Sequence, residues 1–404
     1  MAGGVLQLES TGIQDKVFIE SPQINLFKSV FKRYHNFAFQ EIEQTIKGVI
    51  NFGNVLEIPI SKKGDLISKM CFNFKLPALS IPSGSTYIGW TNNIASVLVK
   101  EAELFIGNQK IDKLYSVWCE IWDELTTSEN HKTSQFSMLG KFETATELQT
   151  NATSETEYFF YLPFWFHHNI ALSIPIVSLQ YHEISVRLTL RPFSELVTFD
   201  GSTAPSDVNI TSAKFFAEYI FLEDTLRSQF AKNLHVYLIN QIQSSNKQSV
   251  PTTGTSPIDF RTSLDFNHRV KALYWVLVES DSEDNNDWLN FSKRSDTSHL
   301  INKARIVLDG QERESQRNEK YFRLTHPVNF HSHSSNKFIY MYSFSRFPEN
   351  IQQPSGALNF SQFDSIYLEL EIRENNPSTF LYTFALSENF LIIQNGMSAL
   401  AFLT

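Results

Sequence analysis

The sequence repeats itself at half its length, and this constrains the fold more than any other feature. Leu104-Phe-Ile-Gly-Asn-Gln109 reads as an apolar strand entering a two-residue turn and a Gln; Ile306-Val-Leu-Asp-Gly-Gln311 reads the same way 202 positions later. Gly-Asn and Asp-Gly are pairs that accept the positive φ of a tight hairpin. Upstream, Asp65-Leu-Ile-Ser-Lys-Met-Cys-Phe-Asn-Phe74 lines up with His268-Arg-Val-Lys-Ala-Leu-Tyr-Trp-Val-Leu277 at a displacement of 203. In the first copy Met70, Phe72, Phe74 and Leu76 alternate with Cys71, Asn73 and Lys75, the period of a strand. In each half a helical or polar segment, a long loop and a terminal alternating strand follow. Two similar domains in tandem are the expectation.

With 404 residues there is room for about two domains, each with its own core. Thirty-five Phe among many Thr, Ile and Val favour sandwiches over helix bundles. Many short strands with long loops suit jelly rolls. The expected fold is all-β: two tandem jelly-roll β-sandwiches, a double jelly roll, with short helices in loops and at the domain junction. The division read from the chain is a 1-23 N-terminal arm, a first jelly roll over 24-222, a junction helix and linker over 223-242, and a second jelly roll over 243-404.

Individual elements follow from spacing. Ile24, Phe27, Val30, Phe31 and Tyr34, with Lys28, Lys32 and Arg33 between them, predict a short amphipathic helix. Leu114, Val117, Trp118, Ile121, Trp122 and Leu125 predict a second helix whose apolar stripe packs in a core. Ile184, Val186, Leu188 and Leu190 alternate with Ser185, Arg187 and Thr189, a strand that Pro192 ends. Glu223 and Asp224 open a predicted helix carrying Leu226, Phe230, Leu234, Tyr237 and Leu238 on one face. Gln243 to Pro257 is a loop by composition. Later, Phe338, Tyr340, Tyr342 and Phe344 share a side, as do Ile366, Leu368, Leu370 and Ile372, and Pro354-Ser-Gly356 shapes the turn between them.

Composition and motifs exclude much chemistry. The net charge of -9 argues against direct nucleic-acid binding, which needs a basic face to release counterions. Cys71 and Cys119 are too few for a disulfide framework or a zinc site. No apolar run approaches the roughly 18 residues of a membrane span, and Glu9, Asp15 and Lys16 interrupt a signal-peptide core, so synthesis in the cytosol is expected. His331-x-His333 resembles half of a cupin metal site, but residues 334-338 bring no carboxylate; His167-His168 has no local acid. The acidic loop Asp281-Ser-Glu-Asp-Asn-Asn-Asp287 lacks the Gly and terminal Glu of an EF-hand and reads as solvated. Sequons at Asn151, Asn209, Asn290 and Asn359 have no secretory context. No catalytic, cofactor-binding or metal residue is assigned, and no enzyme activity is expected.

A series of ordered motifs resembles the major capsid proteins of nucleocytoplasmic large DNA viruses over nearly the full length. It opens with Gly3-Gly4, Gly12-Ile-Gln-Asp15, then Pro22, Gln23, Phe27 and Lys28 in Pro22-Gln-Ile-Asn-Leu-Phe-Lys28, and Lys32-Arg-Tyr-His with Asn36 and Phe37. Glu41-x-x-Gln44, Gly64 and Asp65, Pro163, Phe164 and Trp165, and Gln180, Tyr181, His182 and Glu183 continue it. Tyr321, Phe322 and Arg323, then Gln353, Pro354, Ser355 and Gly356 with Asn359, Phe360 and Ser361, and Asn395-Gly-Met397 complete it. The resemblance implies a homotrimer that presents six sandwiches as a pseudo-hexagonal brick in an icosahedral shell. It also implies neighbouring capsomers and minor capsid proteins as partners, proximity to an internal membrane, residence in the virion and assembly in the host cytoplasm. These motif residues are expected to be structural, with no cofactor. The alternatives are a minor capsid paralogue of the same fold and, from a different class, a double-sandwich carbohydrate-binding or cupin-like metal-dependent protein.

Overall fold

The computed structural model describes residues 3–403. They form two units, one ending at Asn36 and one beginning at Phe37. The N-terminal unit holds α1 (Gly3–Glu9) and α2 (Ile13–Ile19), neither of which buries a side chain. The helix predicted from Ile24 to Tyr34 does not form: these residues make turns and irregular chain. Asn25 accepts the backbone N–H of Phe27 at 2.9 Å, a local turn that competes with helix initiation. The N-terminal unit runs to Asn36, past the residue 23 boundary read from the chain.

The second unit holds two eight-stranded sandwiches. The first contains β1 (Phe37–Gln44), β2 (Val55–Ile60), β3 (Leu66–Leu76), β4 (Val99–Ile106), β5 (Gln109–Tyr115), β6 (Thr156–Tyr161), β7 (Ile184–Leu190) and β8 (Ser212–Leu222). The second contains β9 (His235–Ser244), β10 (Ile258–Ser263), β11 (Arg269–Glu279), β12 (Ile301–Leu308), β13 (Gln311–Asn318), β14 (Tyr340–Ser343), β15 (Ile366–Ile372) and β16 (Thr379–Gln394). The sheets run β1-β8-β3-β6 and β2-β7-β4-β5 in the first, β9-β16-β11-β14 and β10-β15-β12-β13 in the second, with short strands added to two of them and a separate two-stranded sheet of Ile88–Trp90 and Val197–Phe199. The two strand orders are identical, and each is a jelly roll.

The repeat persists to single residues. Ile106 pairs with Gln109 across Gly107-Asn108, and Leu308 pairs with Gln311 across Asp309-Gly310. All four turn residues have positive φ, as a type I′ turn requires. Where β8 meets β3 the register skips Ser68; where β16 meets β11 it skips Lys271, 203 positions later. Both rolls thus carry a β-bulge at the same place.

The repeat fades after β5 because the first roll inserts far more chain there. Its segment to β6 contains α3 (Ser116–Thr126) and two further helices, Glu129–Leu139 and Ala145–Ala152. The second roll bridges the same gap with a π-helical turn, Tyr321–Thr325, and a single helical turn, His326–Phe330. Between the rolls, α4 (Asp224–Lys232) is shorter than its apolar spacing suggests. Tyr237 and Leu238 lie on β9, which pairs with β16 over ten residues from His235–Ile393 to Ser244–Phe384. The chain around 223-242 is thus half helix and half strand, and this strand belongs to the second roll's sheet. The loop expected over Gln243 to Pro257 includes the end of β9 and a short strand, Gln248–Val250. The acidic stretch begins with a helical turn, Ser280–Asp284, in which Ser282 is buried.

Candidate assembly surfaces

The widest functional feature is the seam between the rolls, and it originates in β11. Most strands of these sheets alternate, but Val270 to Val278 is buried on both faces. Val270, Leu273, Trp275 and Leu277 face the second roll's own core, while Ala272, Tyr274, Val276 and Val278 belong to a core continuous with the first roll. A strand sandwiched on both sides reads as an unbroken apolar run, as this one does from Ala272 to Val278. The cover is α3: Trp118 meets Tyr274 edge-on at 5.1 Å and Phe384 at 5.7 Å, and Tyr115 meets Phe384 at 6.0 Å. The tryptophan stripe expected to pack in a core does so, in a core shared by both rolls.

At the edge of the seam, β5 abuts β9. Gln241 donates its side-chain amide to the Ile111 carbonyl, and the Ile242 backbone N–H donates to the Asp112 carboxylate at 3.2 Å. Burial pushes the Asp112 carboxyl up to about 7, against the lowering effect of the N–H groups of Ile242 and Lys113. Long loops cross over as well. Trp288 donates its indole N–H to the Glu195 carbonyl at 2.8 Å and lies under the Arg191 guanidinium at 4.1 Å. Thr91 donates to the Asn286 carbonyl at 2.6 Å.

Beneath α3 lies an ionic cluster. Glu120 is fully buried, with Lys141 Nζ at 2.9 Å, Asn93 Nδ2 at 2.6 Å and Lys337 Nζ on the same carboxylate. Lys141 also binds Glu124, whose second oxygen accepts the Ser335 hydroxyl at 2.9 Å. Burial alone would raise the Glu120 carboxyl, but the Lys337 and Lys141 ammonium groups outweigh it and hold it well below the usual range. Lys337 and Ser335 come from the second roll, so the cluster ties the rolls together. No short motif announces it, because Ser335 and Lys337 lie 211 and 217 positions from the glutamates they meet.

The motif residues fall at chain crossings. Gly64 lies where a Cβ would approach Tyr219 at 2.7 Å. Asp65 accepts the Leu222 N–H at 2.8 Å and pairs with Arg227 of α4 at 2.9 Å, fixing the exit of the first roll. Pro163 precedes Phe164 and Trp165, which are buried, with Phe164 stacked on Phe166. Gln180-Tyr181-His182-Glu183 joins two hairpins. Gly107 donates to the Glu183 carbonyl at 2.8 Å, Tyr181 donates to the Gly396 carbonyl at 3.0 Å, and Ser398 donates its N–H to His182 Nδ1 at 3.1 Å.

In the second roll, Phe322 is buried against Trp275, Arg323 pairs with Glu319 at 2.8 Å, and the half-buried Tyr321 meets Phe322 edge-on at 5.1 Å. In the Gln353-Pro354-Ser355-Gly356 loop the Ser355 hydroxyl contacts Ser345 Oγ at 2.6 Å and accepts the Phe347 N–H at 3.0 Å. Gly356 has φ +119° with the Phe344 carbonyl where a Cβ would sit. Asn359 accepts the Ser361 N–H, Phe360 is buried, and Ser361 accepts the N–H of His268, a residue at φ +65° that opens β11. Pro22, Gln23, Phe27, Lys28 and Asn36 lie in the N-terminal unit, and Phe37 opens β1 opposite Leu222.

The histidines do not converge. His331 is buried, with Glu349 at 2.6 Å on Nδ1 and the Tyr274 hydroxyl at 2.9 Å on Nε2. Glu349 supplies the carboxylate that residues 334-338 lack, from 18 positions beyond His331. His333 instead meets Lys132 and Glu129. His167 and His168 sit on a one-turn helix, not a strand, and burial pushes them down to about 3 and about 4. Among the described residues, no group of three or more His, Cys, Asp or Glu is placed to hold a metal. Among them too, no helix is long and apolar enough to cross a membrane. Both cysteines are free and buried.

Comparison with known proteins gives this architecture its context. Residues 25–223 match the family model described as major capsid protein N-terminus, and residues 227–399 match that of the large eukaryotic DNA virus major capsid protein. The major capsid protein of Pyramimonas orientalis virus is 31% identical, and that of Paramecium bursaria Chlorella virus 1 is 30% identical, each over the whole of both chains. A quasi-atomic model of the PBCV-1 virus capsid superposes with a TM-score of 0.82 at 27% identity, covering 94% of this chain and 100% of that one. The Faustovirus major capsid protein, at 12% identity, shares the fold with a TM-score of 0.77 over 95% and 94% of the two chains. The fold is therefore that of the double jelly-roll capsid proteins. The chain belongs to the major capsid protein family of large eukaryotic DNA viruses. Members of this family are structural components of the virion, not enzymes, as the sequence reading expected.

Proposed function

We propose that the protein is a principal shell protein whose homotrimer forms a pseudo-hexagonal capsomer. The observation that carries this reading is an asymmetry between two rolls of one topology. On the second roll, the outer face of the β9-β16-β11-β14 sheet is covered by α3. The ladder registers make Cys71, Phe216 and Tyr161 the counterparts of Tyr274, Phe384 and Met341. There Phe216 and Tyr161 are half-buried and neighbouring Phe159 is 38% exposed. Lys69–Glu218 and Lys214–Glu43 pairs rim them, an apolar centre with a polar edge. A face that one roll covers on its neighbour is left open on the other, so a second chain can continue the contact. Head-to-tail contacts of this kind close into rings, and three chains give the six towers that the family resemblance implies.

Within this reading, the arm through Asn36, a first roll from Phe37 to Leu222 and a second from His235 are the working parts. The motif crossings described above hold the rolls in register. Neighbouring capsomers and minor capsid proteins are the partners, an internal membrane lies nearby, and synthesis and assembly take place in the host cytoplasm. Light scattering on purified protein tests the core of the proposal. Three chain masses are expected at micromolar concentration; a monomer that persists on concentrating contradicts it.

A further inference from the structure

Two strand pairs occupy corresponding places in the duplicated fold but differ in burial. β5 and β9 meet inside the chain and are half to fully buried along much of their length. Their counterparts are β13 and β1. All of β13 but Glu314 is exposed, and so is β1 from Phe37 through Glu41. The chain therefore makes the first half of a repeating contact and leaves the other half open.

The registers identify which residues correspond. Position 202 onward from Ile111 is Arg313, and from Asp112 is Glu314. On the opposite side, Gln241 pairs with Ser387 and Ile242 with Leu386, flanking the bulge; Gln40 pairs with Tyr219 and Glu41 with Glu218, flanking the equivalent bulge. Hence Gln40 corresponds to Gln241 and Glu41 to Ile242. The same side chain, a glutamine, stands at the first position in both rolls, and the residue corresponding to Asp112 is again a carboxylate, Glu314.

Resting on the trimer reading, we propose that the polar lock between β5 and β9 is repeated between chains. The Gln40 amide of one copy donates to the Arg313 carbonyl of a second copy, and the Glu41 backbone N–H donates to the second copy's Glu314 carboxylate. The partner is a second copy of this chain because the matched acceptors exist in the same duplicated sequence. β1 is also an edge strand whose outward N–H groups are suited to such capture. Glu314 is partly buried, with Arg317 Nε on one carboxylate oxygen at 3.1 Å and the Tyr342 hydroxyl at 3.5 Å from the other, which holds the carboxylate on the strand while each oxygen keeps a further lone pair.

The test is chemical cross-linking of full-length protein. A Gln40→Cys/Arg313→Cys variant treated with a short bismaleimide should give covalent dimers and trimers on a denaturing gel, and each single variant should stay at the monomer position. Cys71 and Cys119 are buried and serve as an internal control. Deuterium exchange gives a second readout: peptides covering 37–44 and 311–318 should exchange at least several-fold more slowly in the trimer than in diluted monomer. If the variant is trimeric by mass yet gives no cross-link, and these peptides exchange equally fast in both states, this contact is wrong and the trimer reading survives. If the parent protein never exceeds one chain mass, both fall.

Discussion

Glu120, Lys141 and Lys337 show how charge can sit in a core without destabilising it. Each carboxylate oxygen of Glu120 has a partner, and Lys141 is shared with Glu124. Removing one member strands the rest, at a cost of about 3–5 kcal/mol for a buried pair. Lys141→Met is thus expected to lower stability by roughly that amount in chemical denaturation, whereas replacing Glu120, Glu124, Lys141 and Lys337 together with apolar residues should cost far less. Asp112 permits a sharper test. Its carboxyl is raised from the ordinary 3.8 to about 7 in the folded chain, so the stability it contributes is complete below about pH 3.8 and is lost progressively as pH rises to about 7. Asp112→Asn keeps an acceptor for Ile242 and removes the titration. Its melting temperature should exceed the parent's by more at pH 8 than at pH 5; an equal change at both would show that Asp112 does not titrate in this range. His167 and His168 work in the opposite direction. Lowered to about 3 and about 4, they stabilise the fold above roughly pH 6.5 and lose that contribution as the pH falls toward those values. A His167→Gln/His168→Gln variant should flatten the acid limb of the stability profile.

Among elements, the two hairpins invite direct comparison. Gly107 and Gly310 both adopt positive φ, but a Cβ at Gly107 would lie 2.4 Å from the His182 ring, while at Gly310 it meets nothing within 4 Å. Gly310→Ala should therefore cost about 1 kcal/mol of backbone strain, and Gly107→Ala should cost about 1–3 kcal/mol more from overpacking against the Gln180-Tyr181-His182-Glu183 crossing. Equal losses in a thermal melt would mean that His182 moves aside freely. The sequence displayed elements like these clearly when the local pattern and the fold agreed. The alternation from Ile184 to Leu190 matched its strand end to end, and the Gly-Asn and Asp-Gly turns sat where the repeat put them. It misled where tertiary pairing overrode local spacing: Tyr237 and Leu238 suit a helix face, yet the long ladder to β16 draws them into a strand. The Ile24 to Tyr34 spacing failed at its start, where the Asn25 side chain accepts the Phe27 N–H and makes a local turn that competes with helix initiation. The seam was legible only in part. Ala272 to Val278 is a continuous apolar run of the kind a doubly buried strand shows, but the contact of Lys337 with Glu120, 217 positions apart, is one that no local pattern encodes.

For the whole molecule, duplication turns a folding unit into a building unit. One roll covers the other within the chain, and the same kind of face remains open on the first roll. The arm is proposed to act in assembly rather than folding, because every strand lies beyond Asn36. A protein starting at Phe37 should melt within a few degrees of the full chain and form shells poorly; a large drop in melting temperature would make the arm part of the fold instead. The central claim is that three duplicated chains make six equivalent towers, and electron cryomicroscopy of the purified protein tests it most directly. Class averages viewed down the long axis should show six lobes in a ring with three-fold symmetry. Averages dominated by two-lobed particles, or by rings of any other lobe number, would contradict it.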